Sequence, residues 1–295
     1  MGVLELCEIV YGLICFAGLI ANSVTLYVIC VSISSKTRGS LTARCIFNLS
    51  LCDLIAVLLL PFFIATMNSG WNYGLKFCEL LTFLQITEQF AKAFILSLLG
   101  ITSYAQYRGS VYQLTKTKML FLFLSVWIPS LLLSSIFVLL LDERYQCDLF
   151  CSSYFHFKET FTFIYTICVF VVPIAVLVLL LRQSRSPPFE RTEAVIELFE
   201  LTLALLSVHI ILTAGHVLGQ LINTFHRLPP GFPEPDWKIR WTMFAGIIWY
   251  TTRFVFPLVY GLMWTEFRKS ALNLFTDLYE YRPMTRFNHN NVGHI

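Results

Sequence analysis

The chain has 295 residues, of which 57% are hydrophobic and 13% are charged, and its formal net charge is +3. Soluble domains carry about 25% charged residues, so this composition excludes an ordinary soluble protein and indicates an integral membrane protein. The apolar runs are long and unbroken rather than alternating, which favours membrane-spanning helices over a β-barrel.

Seven apolar runs follow one another, and each is long enough to cross a bilayer as a helix. The predicted spans are Leu4–Ser32, Leu41–Thr66, Tyr73–Tyr107, Met119–Leu141, Phe161–Arg182, Thr192–Asn223 and Trp237–Trp264. After them, residues 265–275 combine a basic start with an apolar stripe, which predicts a helix lying on the membrane surface. The predicted fold is therefore an all-α membrane protein, a seven-transmembrane helix bundle with a short amphipathic surface helix.

The loops decide the predicted orientation. One set of loops and span ends carries eleven Lys and Arg residues, and the alternate set carries six. The positive-inside rule then places the N-terminus outside and the C-terminus in the cytoplasm. We expect a multi-pass protein of the plasma membrane, with a seven-transmembrane domain at residues 1–279 and a short cytoplasmic tail at residues 280–295.

The third span carries charges where a lone membrane anchor would not. Glu88 and Lys92 fall in its middle, where a charge costs several kcal/mol unless it faces a bundle interior and finds a partner. This helix should therefore be surrounded by the others.

Landmark residues in six spans and the surface helix carry a family resemblance. They are Ala21-Asn22, Asn48-Leu49-Ser50-Leu51-Cys52-Asp53-Leu54, Trp71-Asn72-Tyr73-Gly74 with Cys78, Trp127, Pro173, Pro257-Leu258-Val259-Tyr260 and Phe267-Arg268. On these residues the chain resembles the rhodopsin-like (class A) G-protein-coupled receptors over essentially its whole length. Leu60-Pro61-Phe62 is similar to the L-P-F of chemokine and other peptide receptors.

The chain departs from the family pattern in the motifs that take part in receptor activation. The D-R-Y motif at the inner end of the third span is Thr102, Ser103 and Tyr104 here, so its arginine and its acid are both absent. The seventh-span N-P-x-x-Y keeps Tyr260 but has Phe256 in place of the asparagine. By resemblance, Thr102, Ser103, Tyr104 and Tyr260 form the intracellular coupling face, and ordinary ligand-switched activation of a G protein is not expected.

The resemblance also predicts a buried charge network. In the family a sodium ion lies between the second-span aspartate, matched by Asp53, and polar residues of spans three and seven. Lys92 and Arg253 occupy the positions of two of those serines, and Glu88 lies one helical turn from Lys92. We expect the two cations to replace the ion and to pair with Asp53 and Glu88. The alternative is that Lys92 or Arg253 extends toward an interface.

The outer half of the bundle is expected to hold a ligand pocket and a disulfide bond. The predicted pocket residues are Gln85, Gln89, His216, Gln220, Trp249 and Tyr250. Because Gln85 stands where amine receptors have an aspartate, a monoamine ligand is not expected. Cys78 is expected to pair with Cys147 or Cys151, and Cys151, the nearer to span five, is preferred.

The favoured function is an atypical rhodopsin-like receptor with weak, constitutive or unconventional signalling. The expected partners are membrane lipid, an extracellular ligand that could be a peptide or chemokine, a heterotrimeric G protein, and a second receptor in a dimer. No catalytic constellation, metal-ligand spacing or nucleic-acid module is present in the sequence, so an enzyme, a cofactor, a metal and nucleic acid are not expected. The alternative is a transporter or an ion or proton pathway that uses the buried charges, although such proteins usually have internal repeats or broken spans.

Overall fold

A computed structural model describes residues 3–33, 40–69, 71–109, 116–139, 158–184, 192–225 and 236–279 of the chain. Within these ranges seven helices are long and apolar enough to cross a membrane, and all regular structure is helical. The fold is therefore an all-α seven-transmembrane bundle, as the sequence predicts. The predicted tail, residues 280–295, lies outside the described residues.

The observed helices lie close to the predicted ones. They are α1 at Val3–Tyr27 with a π-helical end at Val28–Ser32, α2 at Leu41–Ser69, α3 at Leu75–Tyr107, α4 at Lys116–Leu139, α5 at Lys158–Thr166, Ile167–Val171 (π-helical) and Val172–Ser184, α6 at Glu193–Phe225, α7 at Asp236–Met263, and α8 at Thr265–Tyr279. Span boundaries fall within three residues of the prediction, and α8 extends four residues further. Below, the Cys78 face is the end of the bundle where α3 begins, and the Tyr107 face is the opposite end.

The third helix lies at the centre of the bundle. It packs against α2, α4, α5 and α6, while α1 packs against α2 and α7. Polar residues of its middle, among them Thr87, Glu88, Gln89 and Lys92, are all buried. None of these polar side chains could face lipid at low cost, and the middle of the helix is surrounded by the other spans, as its sequence predicts.

Three of the four prolines within the described spans are compensated by a side chain of a neighbouring helix. Proline has no N–H, so the carbonyl four residues earlier loses its usual helical donor, and in lipid it must find another. At three prolines, a side chain of an adjacent span is the donor. Asn22 donates to the Arg253 carbonyl at 2.7 Å for Pro257, Cys15 to the Val57 carbonyl at 3.5 Å for Pro61, and His209 to the Val169 carbonyl at 3.0 Å for Pro173.

The surface helix is attached to the bundle at its first residue. The backbone N–H of Thr265, at the start of α8, donates to the carboxylate of Glu197 on α6. An anion is favourable at that end because of the unpaired N–H groups and the helix dipole. Trp264 and Phe267 are buried beside this contact with stacked rings. The first residue of α8 is thus joined to α6 at the Tyr107 face, while the helix itself packs against α7 and the π-helical end of α1.

Candidate functional site

The four charged residues predicted to form a network meet in the interior of the bundle. Asp53 comes from α2, Glu88 and Lys92 from α3, and Arg253 from α7, and each is at most 3% exposed. The Lys92 ammonium lies 2.5 Å from Asp53 Oδ1, and Nη1 of Arg253 lies 2.9 Å from the same oxygen. One carboxylate oxygen therefore accepts from both cations.

Glu88 completes the cluster through a two-point contact. Nη1 of Arg253 donates to Glu88 Oε2 at 2.9 Å, and Nη2 donates to Oε1 at 2.5 Å. A guanidinium matches a carboxylate in this parallel geometry, which gives both strength and a fixed orientation. Two acids and two bases are thus joined, and their formal charges sum to zero.

Neighbouring groups position the two cations. Nζ of Lys92 also donates to the Thr252 hydroxyl at 3.2 Å and lies 4.3 Å from the centre of the Phe256 ring. A Cβ added at Gly18 of α1 would lie 2.8 Å from a methyl group of Val57 and 3.4 Å from Cβ of Arg253. Glycine at this position therefore lets α1 approach Val57 of α2 closely, whereas its distance from Arg253 is an ordinary van der Waals contact.

The cluster fills its surroundings almost completely. A cavity beside it is lined by Glu88, Gln89, Lys92, Val169, His209, Trp249 and Arg253, and the volume open to the centre of a water molecule is about 10 Å³. That is room for about one water molecule. A hydrated ion would not fit beside the two tethered cations.

An aromatic layer of the predicted ligand pocket covers the cluster. The guanidinium carbon of Arg253 lies 4.7 Å from the ring centre of Trp249 and 5.6 Å from that of Tyr250. The His216 ring stacks on Trp249 with centres 4.6 Å apart. Cation–π attraction is stronger in a desolvated site, so this layer is coupled electrostatically to the charges beneath it.

The three glutamines of the predicted pocket are placed differently from one another. Gln85 lies at hydrogen-bond distance from the Tyr250 hydroxyl, 3.5 Å, and Gln89 is buried and lines the cavity beside the cluster. Gln220 is half-buried one turn beyond His216, and its side chain makes no hydrogen bond to a described residue. The structure thus brings five of the six predicted pocket residues to the cluster or its aromatic layer.

The predicted coupling face presents hydroxyl groups at the Tyr107 face. The Thr102 hydroxyl donates to the Leu98 carbonyl at 2.8 Å, and the Tyr104 hydroxyl accepts from Arg108 at 3.2 Å. Ser103 and Tyr260 are buried, and their hydroxyls have no hydrogen-bond partner among the described residues. At the family's arginine position, α3 therefore offers a buried hydroxyl and no cation.

The outer disulfide is only partly described. Cys78 is disulfide-bonded. Its predicted partner Cys151 and the alternative Cys147 lie outside the described residues, so the choice between them stays a prediction.

Sequence reasoning missed several groups that support the cluster. Thr252 and Phe256 contact Lys92 directly, and neither was singled out for that role. The roles of Asn22 and His209 as donors to proline-freed carbonyls were also missed. The prolines in the sequence could have indicated these roles, because a proline within a helical span leaves the carbonyl four residues earlier without its usual donor.

Seven spans, a buried charge cluster and an aromatic layer above it define a membrane protein of the seven-helix class. Residues 22–260 match the rhodopsin family of seven-transmembrane receptors, and the chain belongs to that family. Membership places it among receptors rather than enzymes.

Part of the chain is similar in sequence to two receptors of known ligand class. The chain is 30% identical to melanin-concentrating hormone receptor 1 of Macaca mulatta over 111 residues, which are 37% of this chain and 31% of that protein. It is 30% identical to C-X-C chemokine receptor type 2 of Gorilla gorilla gorilla over 128 residues, 43% of this chain and 35% of that protein. The matched segments thus cover about a third of each relative.

Proposed function

We propose that this chain is an atypical rhodopsin-family receptor of the plasma membrane, with its N-terminus outside and its C-terminus in the cytoplasm. A ligand would bind at the aromatic layer formed by His216, Trp249 and Tyr250. The contact of Trp249 and Tyr250 with the Arg253 guanidinium supports this proposal, because a ligand that moves either ring would change the environment of the buried charges. Both relatives are named as receptors for a hormone or a chemokine, which supports a peptide or chemokine ligand.

The charge cluster would take the place of the ion that the family binds. Lys92 and Arg253 are covalently attached cations, and together they contact both carboxylates. Because these cations cannot dissociate, the binding and release of an ion cannot shift the receptor between two conformations. We therefore propose that α2, α3 and α7 are held in one arrangement.

Coupling to a heterotrimeric G protein would be weak, constitutive or unconventional. Ser103 supplies no positive charge to a partner, and its side chain is buried. The Glu197 contact with Thr265 and the stacking of Tyr107 on Phe199, with ring centres 4.0 Å apart, both hold α6 at the Tyr107 face. Activation would have to break these contacts.

A basal-activity panel across the G-protein families tests the proposal at matched surface expression. The variants are the wild type, T102D, and T102D with S103R. We expect a small ligand-independent response from the wild type and a larger response from the double variant, because it restores both halves of the missing motif. T102D alone controls for the added acid.

Two outcomes would contradict the proposal. A strong wild-type response to a peptide or chemokine panel, unchanged in the double variant, would mean that the missing arginine is irrelevant to coupling. Ion flux in proteoliposomes containing the purified chain would instead support the transporter alternative.

A further inference from the structure

A groove opens on the lipid-facing side of the bundle, close to the Tyr107 face. Its lining residues come from α1, α2 and α4, and they are Ile29, Cys30, Ala43, Arg44, Phe47, Asn48 and Phe123. The volume is about 380 Å³, within the range of about 300–1,000 Å³ for small-molecule sites. The small side chains of Cys30 and Ala43 leave space that larger ones would fill.

The Asn48 side chain in the groove is already paired, whereas the Arg44 guanidinium is not paired with a described residue. The Asn48 amide donates to the Arg44 carbonyl at 2.8 Å, and its oxygen accepts from the Trp127 indole at 3.1 Å. The Arg44 guanidinium is half-buried and has no hydrogen bond or ion pair with any residue in the described ranges. The groove therefore combines apolar walls with one unneutralised cation.

No nearby acid on the lining helices can neutralise Arg44. The described residues of α4 include no acid, the only acid of α2 is Asp53, and the acids of α1, Glu5 and Glu8, lie near its opposite end. Asp53 lies nine residues further along the helix, about 13 Å away, and it already accepts from Lys92 and Arg253. No acid of the described lining helices therefore neutralises Arg44, and an anionic ligand would supply the matching charge.

The position of Arg44 fits the headgroup region of a bilayer. It is the fourth residue of α2, one turn from the helix end, whereas Asn48 and Phe123 lie deeper in their spans. A ligand that complements this layout has an anionic end at the membrane surface and an apolar chain pointing inward. A phospholipid has that shape, and a guanidinium can contact a phosphate through two parallel hydrogen bonds.

We infer that this groove binds an anionic phospholipid of the cytoplasmic leaflet, with its headgroup at Arg44 and an acyl chain along Phe47 and Phe123. Anionic lipids are concentrated in that leaflet and attract basic residues near the surface. The leaflet assignment rests on the orientation given under the proposed function, whereas the lipid contact itself does not. A sterol offers a hydroxyl rather than an anion and would leave the Arg44 charge unused.

Native mass spectrometry of the purified receptor tests the site. Delipidated receptor in detergent is incubated with phosphatidylserine, phosphatidylcholine or cholesterol at equal concentrations, and bound lipid is counted. A basic residue near the membrane surface contributes about 1 kcal/mol, so we expect about fivefold preference for phosphatidylserine over phosphatidylcholine. R44Q should abolish this preference.

Two further variants separate the charge from the apolar walls. R182Q removes one cation from the exposed Arg182 of α5, which lies at the same face but does not line the groove, and it should keep the preference. C30F should fill the groove from its exposed edge, keep Arg44, and lower the bound phosphatidylserine. Melting temperatures close to that of the wild type would establish that the variants are folded.

Several results would overturn the inference. Equal losses in R44Q and R182Q would mean that lipid responds to overall charge rather than to this groove. Cholesterol retained as well as phosphatidylserine, and unaffected by R44Q, would mean that the groove is a sterol site. An antibody that reaches a C-terminal epitope on intact cells would refute the cytoplasmic leaflet while leaving the lipid measurement unchanged.

Discussion

Asp53 is the residue on which the buried cluster depends most. Its Oδ1 accepts from both Lys92 and Arg253, whereas Glu88 contacts Arg253 alone. Removing Asp53 would leave the Lys92 ammonium with the Thr252 hydroxyl and the Phe256 ring. A neutral hydroxyl and a ring face do not balance a full charge in the interior of a membrane protein.

We therefore predict that D53N destabilises the receptor by about 3–5 kcal/mol, the usual cost of leaving one partner of a buried ion pair unmatched. Surface expression should fall with it. The checks are the melting temperature of purified receptor and flow cytometry of an outer epitope. Surface expression and melting temperature equal to those of the wild type would contradict this role for Asp53.

Two double variants with the same net charge test the pairing itself. D53N/K92M removes one acid and one base that contact each other and leaves the two-point Arg253–Glu88 pair intact. E88Q/K92M also removes one of each but leaves Arg253 with a single contact to Asp53. We expect the melting temperature of D53N/K92M to be closer to that of the wild type than the melting temperature of D53N is. It should also be closer than that of E88Q/K92M.

Cluster membership was predictable from the sequence, but the pairing was not. Counted from Cys78 and Pro257, Lys92 and Arg253 occupy the positions of the sodium-site serines of the family that the chain resembles, and that resemblance placed them beside Asp53. The prediction left open which cation pairs with which carboxylate, and the structure pairs Lys92 with Asp53 and Arg253 with both Glu88 and Asp53. That choice depends on distances between helices, which no local pattern encodes.

Individual helices are joined through the carbonyls that prolines release. Asn22 of α1 donates to the Arg253 carbonyl at 2.7 Å as well as to the Gly18 carbonyl in its own helix at 2.8 Å. The same amide therefore satisfies the bend at Pro257 and holds α1 against the residue that carries the guanidinium. His209 and Cys15 do the equivalent for α5 and α2.

We predict that N22L costs about 1–3 kcal/mol, because it leaves the buried Arg253 carbonyl without a donor. In a P257A background the cost should be smaller, since alanine supplies the N–H that proline lacks. Melting temperatures of the two single variants and the double variant give the coupling energy. An N22L cost that is the same in both backgrounds would mean that Asn22 acts through packing alone.

Helix positions were predictable because a bilayer imposes length and polarity on every span. The π-helical segments Val28–Ser32 and Ile167–Val171 were not predicted. The second of them contains Val169, the residue whose carbonyl Pro173 leaves without its usual donor. In the structure, Nε2 of His209 on α6 reaches that carbonyl at 3.0 Å, and a distance between two helices is not encoded in a local sequence pattern.

Across the whole molecule, contacts at two depths hold the helices together. At mid-depth the charge cluster joins α2, α3 and α7. At the Tyr107 face, the Tyr107–Phe199 stack joins α3 to α6, and the Glu197 carboxylate joins α6 to α8. Both sets are formed by side chains and backbone groups of the chain itself, and neither includes Ser103, which stands at the position of the family's D-R-Y arginine.

This arrangement predicts how the receptor responds to sodium. The melting temperature of the wild type should be the same in sodium chloride and in choline chloride at equal ionic strength, because Lys92 and Arg253 already neutralise both carboxylates. K92S leaves the cluster with one excess negative charge and opens space beside Asp53. This variant should gain stability from sodium but not from choline, since an ion bound only by the folded state adds about 2.7 kcal/mol at a hundredfold excess over its dissociation constant. A sodium-dependent rise in the wild type, or none in K92S, would refute the idea that tethered cations replace the ion.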